Sequence, residues 1–179
     1  LGVTPVKINT VALKGFNDDE IVSIASLARD YPFHIRFIEY MPMGDSDVEK
    51  DQQILTKKIK EKIEEKLGEL IPLQREFNDG PAKKYKFKNS KGVLGFITPI
   101  SSHFCNECNR LRLTSRGALR PCLLNNYEKD ILIPLRNGAS DNELKKIIET
   151  ALTRKPLFHT LNDKKKNSIP ISHMTSIGG

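Results

Sequence analysis

Three cysteines are the residues of this chain best suited to chemistry, and they lie close together in the sequence. Cys105 and Cys108 form a C-x2-C pair, and Cys122 follows after 13 intervening residues in a chain of 179. Residues 110–113 alternate polar and apolar side chains, the S-R-G segment that follows is typical of a turn, and residues 118–123 can return antiparallel. The pattern therefore predicts a β-hairpin that brings the three thiols to one place.

The number of thiols limits what they can hold. A closed structural zinc site needs four ligands, whereas three thiolates suit a 4Fe-4S cluster with one iron open to an outside ligand. From the residues alone, zinc and an iron-sulfur cluster are equally favoured, because soft thiolates bind both. Other interpretations are a zinc site completed by His103 and a C-x2-C redox pair with Cys122 as a bystander. A disulfide is least favoured, because the cysteine count is odd and nothing indicates secretion.

Two arginines accompany the thiols. Arg110 and Arg112 alternate with Leu111 and Leu113, so the period of a strand places both guanidiniums on one face. Arginine forks bind phosphates, and a formal net charge of +7 favours polyanionic partners. From these residues alone, a basic zinc-binding module that contacts nucleic acid is an alternative interpretation.

The segment F-C-N-E-C-N-R-L-R-L-T, followed by G-A-L-R-P-C-L, resembles the C-terminal cluster motif of the GTP 3',8-cyclase family. These are radical S-adenosylmethionine enzymes that begin molybdenum cofactor biosynthesis. The resemblance implies an auxiliary 4Fe-4S cluster whose open iron faces the guanine of GTP. The implied cluster ligands are Cys105, Cys108 and Cys122. The implied GTP-binding residues are Arg110, Leu111 and Arg112.

The N-terminal part of the chain predicts a βαβ unit. Residues 6–11 read as a strand, and Asn17 with Glu20 three residues later is typical of a capped helix start. Tyr31 precedes a proline, which ends the helix, and residues 33–40 predict a second strand. Strand, helix and strand in this order imply parallel pairing with a right-handed crossover.

Alternation gives these two strands an apolar face and a cationic face. Lys7 lies on the cationic face of the first strand, and His34 and Arg36 lie on that of the second. In a barrel this face would line the interior, while on an ordinary sheet it would be solvated surface. The segments V-K-I-N and R-F-I-E-Y-M-P resemble the fifth and sixth barrel strands of the same family. The resemblance implies that Lys7 binds GTP, that Met41 contacts S-adenosylmethionine, and that Arg36 lines the pocket.

Further elements follow from local patterns. Residues 56–67 predict a helix with one apolar stripe, and residues 85–88 and 93–97 predict a hairpin. Residues 131–135 predict a short strand. A capping box that starts at Ser140 predicts a last helix.

The chain closes on M-T-S-I-G-G. By itself this ending predicts a frayed tail. The family resembles it in ending M-x-x-I-G-G, which implies that Gly178 and Gly179 reach into the active-site pocket.

The expected fold class is α/β. Residues 1–50 are expected to form the last strands of an incomplete (β/α)6 TIM-like barrel, and residues 51–179 an α+β subdomain that binds the cluster and GTP. The sequence starts at Leu1 and lacks the C-x3-C-x2-C loop that holds the family's other cluster. We therefore expect a piece of a longer enzyme, with the second 4Fe-4S cluster in the missing half and no cyclase activity in this piece alone.

The resemblance implies a lyase that converts GTP, with S-adenosylmethionine, to 3',8-cyclo-7,8-dihydro-GTP. Implied partners are GTP, S-adenosylmethionine and a cyclic pyranopterin monophosphate synthase that takes the product. A second copy of the chain is a further candidate partner, which the sequence does not decide. No run approaches the roughly 18 apolar residues of a membrane span, and no signal-peptide pattern opens the chain. A cytoplasmic location is therefore expected.

Overall fold

The structure is a computed structural model that describes residues 2–43, 48, 50–76, 79–102, 104–105 and 108–158. Its contacts divide the chain into two units. The first comprises Leu1–Met41 and Val48–Phe104, and the second comprises Pro42–Asp47 and Cys105–Gly179.

A mixed five-stranded sheet with two helices forms the first unit. Its strands are β1 (Val6–Val11), β2 (Phe33–Ile38), β3 (Ile71–Pro72), β4 (Lys83–Lys86) and β5 (Val93–Ile97). Its helices are α1 (Ile21–Asp30) and α2 (Thr56–Leu67), with a 3-10 turn at Lys50–Gln52. The strand order is β1-β2-β5-β4-β3, in which β1, β2 and β5 are parallel and β4 and β3 are antiparallel to their neighbours.

The predicted βαβ unit is confirmed. β1 and β2 pair in parallel, with Val6 opposite Phe33, and α1 is the crossover between them. The helix ends at Asp30, directly before the Tyr31-Pro32 pair, because a residue before proline is pushed out of the helical region. The predicted hairpin is confirmed as β4 and β5, and the helix over residues 56–67 is confirmed as α2.

The capping role predicted for Asn17 is wrong. α1 begins at Ile21, and its N-terminus receives no side-chain cap. Asn17 Oδ1 instead accepts a hydrogen bond from the Leu13 amide at 2.8 Å, and Asn17 Nδ2 donates to the Val11 carbonyl at 3.0 Å. The Asn17 side chain therefore closes the loop after β1, because short amide side chains bond nearby backbone as readily as they cap helices.

The core of the first unit lies between one face of the sheet and the two helices. Ile35, Phe37, Leu94 and Phe96 on the central strands are almost completely buried. The helices contribute Ile21, Ala25, Ala28, Ile59 and Ile63. Burying a side chain such as Phe37 contributes about 1.5–3 kcal/mol. The core therefore fixes which sheet face turns outward, and that is the face with Lys7, His34 and Arg36.

The second unit contains a three-stranded antiparallel sheet and two helices. Its elements are β6 (Arg112–Leu113), β7 (Ala118–Arg120), β8 (Lys129–Asp130), α3 (Leu132–Arg136) and α4 (Asp141–Thr153). The strand order is β6-β7-β8. The hairpin predicted between the C-x2-C pair and Cys122 is confirmed as β6 and β7, although both strands are shorter than the alternation suggested.

The strand predicted over residues 131–135 is wrong, because α3 lies there. Asp130 Oδ1 accepts hydrogen bonds from the amides of Leu132 at 2.9 Å and Ile133 at 3.3 Å. A carboxylate in this position satisfies amides that the first turn of a helix leaves unpaired. Pro134 lies in that same turn, where its missing amide costs little.

Helix α4 starts with the predicted capping box. The Ser140 amide donates to Glu143 Oε2 at 2.8 Å, and the Glu143 amide donates to Ser140 Oγ at 3.4 Å. The helix lies against β7 and ends at Thr153. Its end therefore determines the position of Lys155, two residues later.

The expected α/β class is confirmed by the mixed sheet and its helices. The contacts group residues 48–104 with β1 and β2, while a family domain boundary near residue 50 stays a prediction. None of the helices in the described part of the chain has the length and apolar character that crossing a membrane requires.

Candidate metal centre and cationic pocket

The three cysteines lie near one another in the second unit. All three are free and half-buried. The Cys108 amide donates to the Cys105 carbonyl at 3.2 Å, which closes the turn of the C-x2-C pair. Cys122 lies two residues beyond the end of β7, within electrostatic range of Cys105 and Cys108. The hairpin thus returns the third thiol to the first two.

Burial raises the pKa of the Cys122 thiol. Neighbouring thiolates at Cys105 and Cys108 raise this pKa further, while a hydrogen bond with the Leu124 backbone and the charge of Lys155 act in the opposite direction. The positive charge of a bound metal would offset the repulsion between the three thiolates. Coordination to a metal therefore favours the ionised form of a thiol.

No three His, Cys, Asp or Glu side chains among the described residues are arranged to hold a metal ion as they stand. His103, which the zinc interpretation uses, lies outside the described residues. Residues 106–107, between the first two cysteines, also lie outside them. The donor chemistry fits a thiophilic group, because three half-buried thiols share one neighbourhood with two cations, Arg112 and Lys155.

Two arginines of the motif lie beside the thiols. Arg112 is in β6, and its pKa is lowered by burial first and then by the charge of Arg110. Thiolates at Cys108 and Cys122 oppose that shift. A guanidinium keeps its charge at any physiological pH, so Arg112 supplies a fixed positive charge next to the thiols.

Two further cations support the cysteine loops, and the sequence patterns did not identify them. Arg120 is completely buried, and its Nε donates to the Cys122 carbonyl at 3.3 Å. Lys155 is half-buried, and its Nζ donates to the Cys108 carbonyl at 2.6 Å. Periodicity gave no signal for either residue, because both donate to main-chain carbonyls, which every residue carries, and Lys155 does so 47 positions away in the sequence.

A cationic cavity of about 160 Å³ opens on the outward face of the sheet in the first unit. Lys7, His34, Arg36 and Lys84 contribute to its walls. The strand register places Lys7 opposite His34, and Gly95 between Arg36 and Lys84. A Cβ on Gly95 would lie 3.2 Å from Arg36 Cγ, so the absence of a side chain there keeps the cavity open.

His34 reports the electrostatic character of this cavity. Burial lowers its pKa, and the charges of Arg36, Lys7 and Lys84 lower it further, with Asp79 opposing. Asp79 also forms an ion pair with Lys84. The neutral imidazole is therefore favoured near neutral pH, and the surrounding cations favour an anionic ligand.

Other residues predicted for the site have these places. Met41 is half-buried and lies three residues beyond the end of β2. Leu111 is half-buried directly before β6. Gly178 and Gly179 lie outside the described residues.

Glu39 connects three segments of the first unit, a role that the sequence patterns did not predict. It follows β2 and is 2% exposed. Its carboxylate accepts from the amides of Thr56 at 3.0 Å, Ile100 at 3.2 Å and Ser101 at 2.9 Å, and also from the Ser101 hydroxyl. One carboxylate thus fixes the start of α2 and the turn that leads from β5 towards Phe104.

Comparison with known proteins places this arrangement in a family. Residues 33–161 match the family described as Molybdenum Cofactor Synthesis C. A GTP 3',8-cyclase of Syntrophomonas wolfei is 46% identical over 164 residues, which cover 91% of this chain and 50% of the relative. GTP 3',8-cyclases of Thermodesulfovibrio yellowstonii and Desulforamulus reducens are 43% and 44% identical, and the alignments cover 53% and 54% of those relatives. This chain therefore spans about half the length of the curated relatives it matches, and it belongs to the Molybdenum Cofactor Synthesis C family.

Proposed function

We propose that this chain is the C-terminal part of a GTP 3',8-cyclase, a lyase that converts GTP to 3',8-cyclo-7,8-dihydro-GTP with S-adenosylmethionine. In that enzyme it would supply an auxiliary cluster and much of the GTP site. The observation that carries the proposal is the meeting of three thiols and two motif arginines in the second unit. The names of the aligned relatives support it.

Cys105, Cys108 and Cys122 would hold a 4Fe-4S cluster. Three thiolates leave one iron of such a cluster open to an outside ligand, and the guanine of GTP is the ligand proposed for that place. The charges of Arg112 and Lys155 would offset the negative charge that accumulates when three thiols ionise together.

The cationic residues would bind and orient GTP. Arg110 and Arg112, with Leu111 between them, are proposed to contact the nucleotide beside the thiols. Lys7 is proposed to bind GTP from the cavity of the first unit, where Arg36 also lies. Holding reactive atoms in attack geometry can contribute several kcal/mol to lowering a barrier, so the proposed task of these residues is positioning.

The remaining roles concern the whole enzyme. Met41 would contact S-adenosylmethionine, and Gly178 with Gly179 would enter the active site. The sheet of the first unit would form part of a (β/α)6 TIM-like barrel, which residues outside this chain complete. A second 4Fe-4S cluster would be held there, because this sequence has no further cysteines. A homodimer and transfer of the product to a cyclic pyranopterin monophosphate synthase are also proposed.

Anaerobic reconstitution tests the proposal. We expect about four irons and four sulfides per chain with little zinc, and a change in the cluster's spectrum when GTP is added. Stoichiometric zinc without iron uptake would instead favour the basic zinc module. Nucleic-acid binding with a steep dependence on salt would favour it further.

The arginine variants provide a second test. Replacing Arg110, Arg112 or Lys7 by alanine is expected to weaken GTP binding by about 1.5–3 kcal/mol, the contribution of a charged hydrogen bond. Binding can be measured by calorimetry on the reconstituted chain. Arg116→Ala is the matched control, because Arg116 is exposed in the turn of the same hairpin. Equal affinity in the three variants and the control would contradict the assignment.

A further inference from the structure

Two segments carry the three cysteines: one arm contains Cys105 and Cys108, and the other contains Cys122. In each arm, one cation binds the main-chain carbonyls. Lys155 Nζ donates to the Cys108 carbonyl at 2.6 Å and to the Arg110 carbonyl at 2.9 Å. On the other arm, the Arg120 guanidinium donates to the carbonyls of Cys122 at 3.3 Å and Leu123 at 3.4 Å. Together they fix both loops that carry the thiols.

Arg120 has a counterion, and Lys155 has none among the described residues. Arg120 Nη1 lies 3.3 Å from Glu128 Oε1, so the charge of this buried arginine is balanced by a carboxylate. No described carboxylate lies within ion-pairing distance of Lys155. The Lys155 ammonium is half-buried, points its protons at two carbonyls, and acts electrostatically on Cys122.

The placement of these bonds matters for the thiols. Residues 108–110 join the C-x2-C pair to β6, and a charged donor that bridges the first and last carbonyl of this segment restricts its backbone. Charge-assisted hydrogen bonds are about twice as strong as neutral ones. Because α4 lies against β7 in the second unit, the helix end also couples this segment to the strand that leads to Cys122.

We propose that Lys155 is a positioning residue for the three-cysteine site. It fixes the main chain of residues 108–110 and places a positive charge near Cys122, so that the loops that carry the thiols are restrained before a metal draws the thiols together. The identity of the bound group rests on the function proposed above, whereas the arrangement of the thiols does not.

The test compares four versions of the full chain. Lys155→Met removes the charge and both hydrogen bonds while keeping the aliphatic stem, and Lys155→Arg retains a charged donor. Lys146→Met is the control, because Lys146 is exposed on the same helix. Cd²⁺ is titrated into each metal-free chain and followed by thiolate absorption. Iron content and the cluster's reduction potential are then measured after reconstitution.

Lys155→Met is expected to weaken Cd²⁺ binding by about 10- to 100-fold, the usual effect of losing a group that orients metal ligands. It should also lower the reduction potential, because a nearby positive charge stabilises the reduced cluster. Lys155→Arg should recover most of the affinity, and Lys146→Met should match the unaltered chain. If Lys155→Met does not fold by circular dichroism, Lys155→Gln replaces it, since glutamine can donate to the carbonyls without the charge.

The outcomes separate this inference from the proposed function. Unchanged Cd²⁺ affinity and reduction potential in folded Lys155→Met, or in Lys155→Gln where the methionine variant does not fold, would overturn the positioning role. If the unaltered chain takes up no iron, the proposed cluster fails. Cd²⁺ affinity alone then decides the role of Lys155.

Discussion

Replacing Cys122 by alanine is expected to reduce the iron content of the reconstituted chain from about four per molecule to nearly none. The C-x2-C pair that remains offers two thiolates. Two of the cluster's four irons would then have no protein ligand. Cys122 also follows the second strand of the β6 and β7 hairpin, so it is the proposed ligand that would join the two loops. Iron and sulfide analysis after anaerobic purification, with the absorption spectrum, measures the effect.

The same variant distinguishes the interpretations of the three thiols. If Cys105 and Cys108 act as a redox pair, loss of Cys122 should leave their oxidation and reduction unchanged. If they belong to a cluster, alanine at any of the three positions should have the same large effect. Far-UV circular dichroism controls for misfolding. Retention of about four irons by Cys122→Ala would remove Cys122 from the proposed ligand set.

Replacing Glu39 by alanine is expected to lower the free energy of unfolding by about 3 kcal/mol. The change leaves the buried Thr56 amide and the partly buried Ile100 and Ser101 amides without their acceptor, and a buried donor left unpaired costs about 1–3 kcal/mol. Urea denaturation measures the difference. Glu61→Ala is the control, because Glu61 is an exposed residue of α2 whose ion pair with Lys57 contributes little.

The Glu39 contribution should depend on pH. Burial by itself would raise the pKa of this carboxyl, but the hydrogen bonds from Ser101, Thr56 and Ile100 outweigh burial and lower it. A pKa that is lower in the folded state stabilises the protein above the unfolded value of about 4.3, and this stabilisation is lost as pH falls through the folded pKa. The stability difference between the unaltered chain and Glu39→Gln should therefore shrink on acidification. A difference that stays constant with pH would contradict the ionised state of Glu39.

Local pattern was sufficient to predict several elements. The β1, α1 and β2 unit follows from period-2 and period-3.6 alternation and from the proline after Tyr31, all of which act within a few residues. The β6 and β7 hairpin follows from the turn that contains Gly117, which adopts a positive φ of 76°. Because that hairpin is local, the approach of Cys122 to the C-x2-C pair was also predictable. The errors at Asn17 and at residues 131–135 arose at polar side chains that bond nearby backbone amides: Asn17 accepts from Leu13 instead of capping α1, and Asp130 accepts from Leu132 at the start of α3.

Some features depend on the fold itself. β5 pairs in parallel with β2 across more than fifty residues of sequence, which makes Gly95 a neighbour of Arg36. Gly92 lies between the two strands of the predicted hairpin, and a glycine is required there because a Cβ would lie 2.3 Å from the Phe33 carbonyl oxygen. Neither relation has a periodic signature, because each residue is constrained by a segment that is distant in the chain.

The proposed site has some features that the sequence shows and others that only the fold shows. The cysteine spacing and the motif arginines are visible in the sequence, since all of these residues lie in the short segment 105–122. The supporting contacts are not visible there, because Lys155 reaches Cys108 over 47 positions and Glu39 reaches Ser101 over 62. Sequence pattern registers side-chain type and local period, whereas these hydrogen bonds end on main-chain groups that every residue carries. Only the tertiary structure decides which carbonyl or amide lies within 3 Å of a given charge.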